Sequence, residues 1–386
     1  MSTTNSSSPR PVAADRVAAV SAQVVLPCSG DLDATLAFFT DSLGFRVEAI
    51  FPADRPTTAV VDGYGLRLRL DTSRSGDPGT LRLLCHEPDR VAGGARELTA
   101  PNGTRIEIED ADPPLLLPPL APSLVVTDAG GTDEGVAGRA GMIYRDLLPG
   151  RQGGMFVASR ISIPGGGPVP DYVHFHKVRF QMIFCAAGWV RVAYEDQGEP
   201  ILMRAGDCVV QPPLIRHRVL EASPGLEVVE VGCPAVHETF GDLALTLPTG
   251  RVLPERDFGG QRFVHHVAAG ARWSPWRRAG FEQRDTGIGA ATGGIAGVRV
   301  VRPAASGIDA AHQGVTAVAG DDTELQLWVV LAGEATFRAG DRPQERVRRW
   351  ASVTVPAGMA HELSAPTPDF EMLEVTLPEH PGRPTT

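Results

Sequence analysis

Apolar and polar positions change period along the chain. Ala22–Pro27 is a short apolar run that reads as a strand, and Ser29-Gly-Asp-Leu-Asp33 follows with helix N-cap residue types. Leu32, Leu36, Phe39 and Leu43 then recur at helical spacing, and Gly44 supplies a stop. Three strand-like runs come next. They are Phe45–Phe51, Thr58–Val61 turning at Gly63-Tyr-Gly65 into the alternating Leu66-Arg-Leu-Arg-Leu70, and Thr80–Cys85. Pro101-Asn-Gly-Thr104 marks a turn before another alternating strand, Arg105-Ile-Glu-Ile-Glu109. Residues 19–110 therefore predict a small α+β module of order β-α-β-β-β. Residues 111–138 are rich in Pro, then in Gly and Asp, and read as a linker in which Leu124-Val-Val126 offers an edge strand. Beyond Gly141 short strands alternate with Gly/Pro turns and almost no helix is signalled, which predicts an all-β sandwich or barrel.

Composition narrows the function. With 43 Gly and 33 Pro in 386 residues, turns and short strands are favoured over long helices. The net charge of −10 argues against a nucleic-acid or anionic-membrane partner. No apolar run reaches the roughly 20 residues needed to cross a bilayer. Residues 1–18 are polar, lack the apolar core of a signal peptide, and predict a disordered tail. Cys28, Cys85, Cys185, Cys208 and Cys233 are odd in number and mostly set in apolar strands, so buried free thiols and a cytoplasmic location are expected. No Gly-x-Gly-x-x-Gly, Walker loop, nucleophile elbow or His-Glu-x-x-His occurs, so nucleotide chemistry and serine hydrolysis are unsupported.

The chemistry gathers around Tyr172-Val-His174-Phe-His176, answered downstream by His217. Side chains two apart share a face of a strand, so His174 and His176 project together. Three neutral imidazoles converging on one point form an open site for a first-row transition metal. Tyr172, Lys177, Arg179, Arg216 and Arg218 flank these residues and are candidates to bind or activate an anionic substrate; alternation puts Arg216 and Arg218 on the face opposite His217. The region also repeats itself, as 139–250 and 251–386. Gln181 stands seven before Gly188 and Gln326 seven before Gly333, and Pro212 and Pro356 each stand five before His217 and His361.

On these motifs both halves resemble cupins, so the segment resembles a bicupin. The first cupin motif is His-x-His, three or four residues, Glu, six residues, Gly; this chain has His174, His176, Gln181 and Gly188. The second is Gly, five residues, Pro-x-Gly-x-x-His; this chain has Gly206, Pro212, Leu214 where Gly is usual, and His217. The resemblance implies His174, His176 and His217 as metal ligands, with Gln181 where a fourth ligand, a glutamate, often stands. Replacing that carboxylate by an amide leaves the dication's charge on the site and favours an anionic bidentate oxygen ligand. In the second half Ala319 and Asp321 fall at the two His places and His312 lies out of register, so this half reads as metal-free. Residues 19–110 resemble one module of the glyoxalase/bleomycin-resistance (vicinal oxygen chelate) superfamily, which implies Gln23 and Glu107 at that family's ligand places.

The expectation is thus a mainly β protein. It has a vicinal-oxygen-chelate-like module (19–110), a metal-binding cupin (139–250) and a degenerate cupin (251–386). Its expected function is that of a non-haem Fe(II) dioxygenase acting on a diketone, enediol or aromatic compound, with Gln181 and Tyr172 as catalytic candidates and Phe175, Ile183, Phe184, Val210 and Val219 as the dry barrel wall. Non-redox Zn, Ni or Mn catalysis, or ligand binding without turnover, are the alternatives. A homodimer is expected, because the lone module and the barrel edges leave surfaces that family members pair.

Overall fold

A computed structural model of the protein describes residues 20–127, 135–305, 316–318 and 322–379. The tail, part of the linker, and the positions His312, Ala319 and Asp321 lie outside them. The chain forms two compact units, residues 1–114 and 115–386.

In the first unit, β1 (Val24–Pro27), β2 (Arg46–Phe51), β3 (Thr58–Gly63) and β4 (Leu66–Asp71) form one sheet in the order β1-β4-β3-β2. The Asp31 carboxylate accepts the Ala34 N–H at 3.0 Å and starts α1 (Leu32–Ala37), which runs on through a π-type turn at Phe38–Ser42. Leu32, Phe39 and Leu43 of this helical stretch pack on Leu26, Val61, Leu68 and Leu70, as the helical spacing predicts. Because α1 carries the chain back across the sheet, β1 pairs with β4 in parallel. The β-α-β-β-β order therefore closes at β4. A separate sheet holds β5 (Thr80–Cys85), β6 (Glu97–Thr99) and β7 (Arg105–Asp110), in the order β5-β7-β6. This corrects the placement of Arg105–Glu109 as the module's closing strand. Gln23 lies exposed just before β1, and Glu107 sits on the other sheet, ion-paired to Arg82 at 2.8 Å.

The second unit holds two barrels, each built from a large sheet and a smaller one. The first barrel uses β9 (Val136–Ala137), β10 (Ile143–Asp146), β11 (Val157–Ile163), β12 (Gly167–Pro168), β13 (His174–Phe175), β14 (Phe180–Ala187), β15 (Trp189–Tyr194), β16 (Ile201–Arg204), β17 (Cys208–Val210), β18 (His217–Ala222), β19 (Leu226–Cys233), β20 (Phe240–Gly241) and β21 (Val264–His266). Its large sheet runs β21-β17-β14-β19-β11-β10-β9 and its small one β16-β15-β18-β13-β20. The second barrel uses β22 (Ser274–Pro275), β23 (Phe281–Asp285), β24 (Gly297–Pro303), β25 (Thr316–Val318), β26 (Leu325–Ala332), β27 (Glu334–Ala339), β28 (Glu345–Arg348), β29 (Ser352–Thr354), β30 (Ala360–Ser364) and β31 (Glu371–Leu377). Its sheets run β22-β23-β24-β31-β26-β29-β8 and β25-β30-β27-β28, where β8 is Val125–Val126 from the linker. The mainly β class with tandem barrels is what the chain adopts.

The two large sheets share one core. Phe180, Met182, Phe184, Val229 and Val231 meet Val298, Val300, Leu327, Val329 and Leu373 there. Their central strands β11, β14, β19, β24, β26 and β31 are largely buried on both faces, so alternation there sorts residues between two cores rather than between core and water. On β14, Phe180, Met182 and Phe184 face the shared core, while Gln181 and Ile183 line the first barrel's interior. This corrects the expected wall: Phe184 and Val210 belong to the inter-barrel core, and Phe175 is half-buried and stacked on Phe240.

The repeat seen in the sequence has a geometric cause. Gly188 and Gly333 make the same turn in each barrel, carrying the chain from the large sheet (β14, β26) into the small one (β15, β27), with φ of 74° and 60°. A Cβ on either would lie 2.4 Å from a hydroxyl, Ser223 Oγ or Thr367 Oγ1. In both barrels the strand before the turn slips register against its neighbour, β14 against β19 at Cys185/Ala187 and β26 against β31 at Val330/Ala332. The second motif tells the same story. Gly358 has φ of 71° and Leu214 has φ of 66°, so Leu214 takes the left-handed conformation without a glycine's freedom.

Candidate metal centre

Strand register builds the site. In the antiparallel β13/β18 pair His174 lies directly opposite His217, and their rings are 4.2 Å apart at the centroids. His176 follows two residues after His174, its ring 5.3 Å from His174 and 5.4 Å from His217. All three are buried, and one ring nitrogen of each lies within 4.8 Å of the other two. Among the described residues this is the group of three or more metal-ligating side chains that comes together.

The tautomers follow from the backbone. Nδ1 of His174 faces the carbonyl of Tyr172 at 2.8 Å, that of His176 faces Glu238 at 3.0 Å, and that of His217 faces Ile215 at 3.0 Å. A carbonyl only accepts, so each Nδ1 carries the hydrogen and each Nε2 presents a lone pair. Burial holds all three imidazoles neutral: His176 is pushed down to about 4, His217 lies well below 6.5, and His174 is lowered by burial and then by the Arg139 charge. Neutral Nε2 donors on ordered rings suit a first-row dication. To bind one ion at about 2.1 Å each, the three ring nitrogens, which lie within 4.8 Å of one another, would have to draw closer together.

One contact opposes that closure. Arg139, just ahead of β10, places Nη2 at 2.7 Å from His174 Nε2, donating to the lone pair a metal would take. Its Nη1 is ion-paired with Asp171, whose carboxylate is fully buried, lies 3.6 Å from His174 Nδ1 and also accepts the Val219 N–H at 2.9 Å. The Arg139 side chain is 32% exposed, so it has a route outward.

Around the histidines is a cavity lined by Arg139, Tyr144, Gln181, Tyr194, Gln211 and Glu230, with an apolar wall of Ile161, Ile183, Val192, Met203, Val219 and Val228. Its volume of about 90 Å³ admits a compact molecule of a few heavy atoms; benzene needs a cavity of roughly 150 Å³. Gln181 is buried at the place expected of a fourth ligand, but its amide N–H donates to Glu230 Oε1 at 2.7 Å. Its amide oxygen is the atom left for a metal or substrate. Gln211 donates to the Tyr194 hydroxyl at 3.1 Å, and burial raises the pKa of both Tyr194 and Tyr144, the latter also through the Glu230 charge, so both phenols stay protonated.

Tyr172 is 42% exposed and its ring is not part of the cavity lining; it serves His174 through its carbonyl and an edge contact at 5.7 Å. The flanking cations point elsewhere. Arg179 makes a two-pronged pair with Glu324 of the second barrel, Arg216 pairs with Asp242 at 3.2 Å, and Lys177 lies over the Phe240 ring. Cys185 is buried, and burial pushes its thiol up to about 12. Two polar groups of the cavity lining escaped the sequence reading. Arg139 sits at the edge of the linker, far from the motif. Glu230 carried a usable signal, because alternation along β19 puts Leu226, Val228 and Glu230 on one apolar face.

No protein-family model matches the chain, and no curated protein matches it. Solved structures resemble it distantly. Protein Ylba from E. coli is 10% identical, over 67% of this chain and 92% of that one, with a TM-score of 0.48. The oxalate decarboxylase of Lactobacillus farciminis, as a formate complex, is 14% identical over 67% and 87%, at 0.47. The oxalate decarboxylase of Bacillus subtilis is 13% identical over 66% and 76%, at 0.45.

Proposed function

We propose that this protein is a metal-dependent enzyme of cupin type, a non-haem Fe(II) dioxygenase acting on a small bidentate oxygen substrate. The observation that carries the reading is the set of three buried imidazoles, each tied at Nδ1 to a backbone carbonyl and offering Nε2 to one point. When bound, the metal supplies Lewis acidity toward the substrate oxygens and, as iron, one-electron chemistry with dioxygen.

The other steps belong to the chain. Arg139 neutralises an anionic substrate oxygen as it leaves His174. Glu230, held by the Gln181 amide, takes the proton of an acidic C–H or enol hydroxyl. The apolar wall excludes water from the product of that proton transfer. The cavity volume supports a short diketone or enediol over an aromatic ring. Glu230 also supports a second reading, metal-assisted isomerisation at the same site without oxygen.

The test is elemental analysis of the purified protein beside His174→Ala, with oxygen uptake recorded on short diketones. One equivalent of iron, lost in the variant, with oxygen consumed, is the expected result. Zinc or nickel with no uptake moves the assignment to the non-redox enzyme, and no metal after anaerobic reconstitution refutes both.

A further inference from the structure

The second barrel carries a buried charge with nothing to meet it. Arg278 is 5% exposed, and its Nε, Nη1 and Nη2 are all sealed from solvent with no hydrogen-bond partner among the described residues. The guanidinium lies 5.6 Å from the Trp276 ring centroid and 5.4 Å from that of Trp328. Two carboxylates act on it through space, but both are engaged. Glu374, fully buried, accepts Arg277 on both oxygens and the indole N–H groups of Trp276 and Trp328 at 3.2 and 2.9 Å. Glu362 accepts Arg338 at 2.7 Å. With Arg277 matched to Glu374 and Arg338 to Glu362, one positive charge is left over. Burial, with Arg277 beside it, holds Arg278 at about 10, so it stays charged at neutral pH.

Beside this charge stand the remnants of the repeated motif. His361 donates Nδ1–H to the Met359 carbonyl at 3.0 Å, just as His217 does to Ile215, so its Nε2 turns inward. That Nε2 lies 3.3 Å from the Gln326 amide, and the His361 ring is 5.2 Å from Trp328. A guanidinium fork, an imidazole and an amide thus gather beside two indole faces. An unpaired buried cation costs several kcal/mol. A planar carboxylate matches the fork with two parallel hydrogen bonds.

We propose that the interior of the second barrel is a binding site for a small planar carboxylate, held by Arg278 with His361 and Gln326 as further contacts. The site is separate from the histidine centre of the first barrel and needs no metal.

The test uses the full chain in carboxylate-free buffer, titrated with acetate, with sulfate as a tetrahedral control. Tryptophan emission and Tm are read. Wild type should show a saturable emission change and a rising Tm with acetate, and little of either with sulfate. Arg139→Met, which alters only the first barrel, should keep both responses. Arg278→Met should lose both and, having shed an unpaired buried charge, should have a higher Tm than wild type before acetate is added. Should Arg278→Met fail to fold, Arg278→Lys, which keeps the charge and loses the fork, should weaken acetate at least tenfold. No saturable response in wild type, an equal response to sulfate, or an undiminished response in the Arg278 variant would overturn the proposal.

Discussion

Arg139→Met should tighten metal binding at the histidine centre. In the present arrangement the guanidinium donates to His174 Nε2 at 2.7 Å, and an incoming dication must displace it. A hydrogen bond from a charged donor contributes about 1.5–3 kcal/mol. The side chain is 32% exposed and screened accordingly, so the lower part of that range applies. Removing the arginine also removes a like charge from beside the metal and leaves Asp171 3.6 Å from His174 Nδ1, where its charge makes the imidazole a better donor. At 1.4 kcal/mol per decade, affinity should rise about tenfold to a hundredfold. The assay is anaerobic competition with a chromophoric chelator, with Arg139→Met/Asp171→Asn measured alongside. The double variant should keep the part of the gain that comes from freeing Nε2. Equal or weaker affinity in Arg139→Met would refute the idea that this arginine competes with the metal. Catalysis should move the other way, because the same residue is the cation offered to an anionic substrate.

Glu230→Gln should lower kcat by about 10²–10⁴ while leaving metal content unchanged, since the carboxylate is placed as a base and not as a ligand; parallel loss of metal would reassign it. Glu374→Gln should destabilise the fold by about 1.5–3 kcal/mol in urea titration, because it removes the buried charge that accepts from Arg277, a quarter exposed, and from the indoles of Trp276 and Trp328. Leu214→Gly should raise stability by up to about 1 kcal/mol by relieving a left-handed conformation, and a loss would show that the exposed leucine side chain matters more than its φ. Stability of the metal-free protein should also depend on pH. His176 and His361 take up a proton near 6.5 in the unfolded chain and near 4 in the folded one. Their contribution is therefore complete above 6.5 and is lost as pH falls toward 4. The urea midpoint should be lower at pH 5 than at pH 7.5, and the reverse order would contradict the burial of these rings.

Several features were legible in the chain because each depends on only a few neighbouring residues. The helical run of Leu32, Phe39 and Leu43 needs one amphipathic face. The Gln-to-Gly spacing of both halves encodes a bulge and a sheet-to-sheet turn whose positive φ and close approach suit a glycine, at Gly188 and Gly333. The three candidate ligand histidines announce themselves by type and spacing. Pairing and burial settled the rest. Alternation gives two faces to a strand but does not say which core each one meets, so Phe184 and Val210 read as barrel wall and lie between the barrels instead. Register placed His174 against His217, and β19 against β14, which brings Glu230 to Gln181. The segments Val125–Val126 and Val264–His266 are too short to show their partners, and each finds the edge of a sheet that exposes unpaired N–H and C=O groups. Arg139 and Arg278 are ordinary surface residue types by composition. A place against the buried His174 in one barrel, and burial beside indole rings in the other, give them their chemistry, since a charge acquires it from the partners it has or lacks.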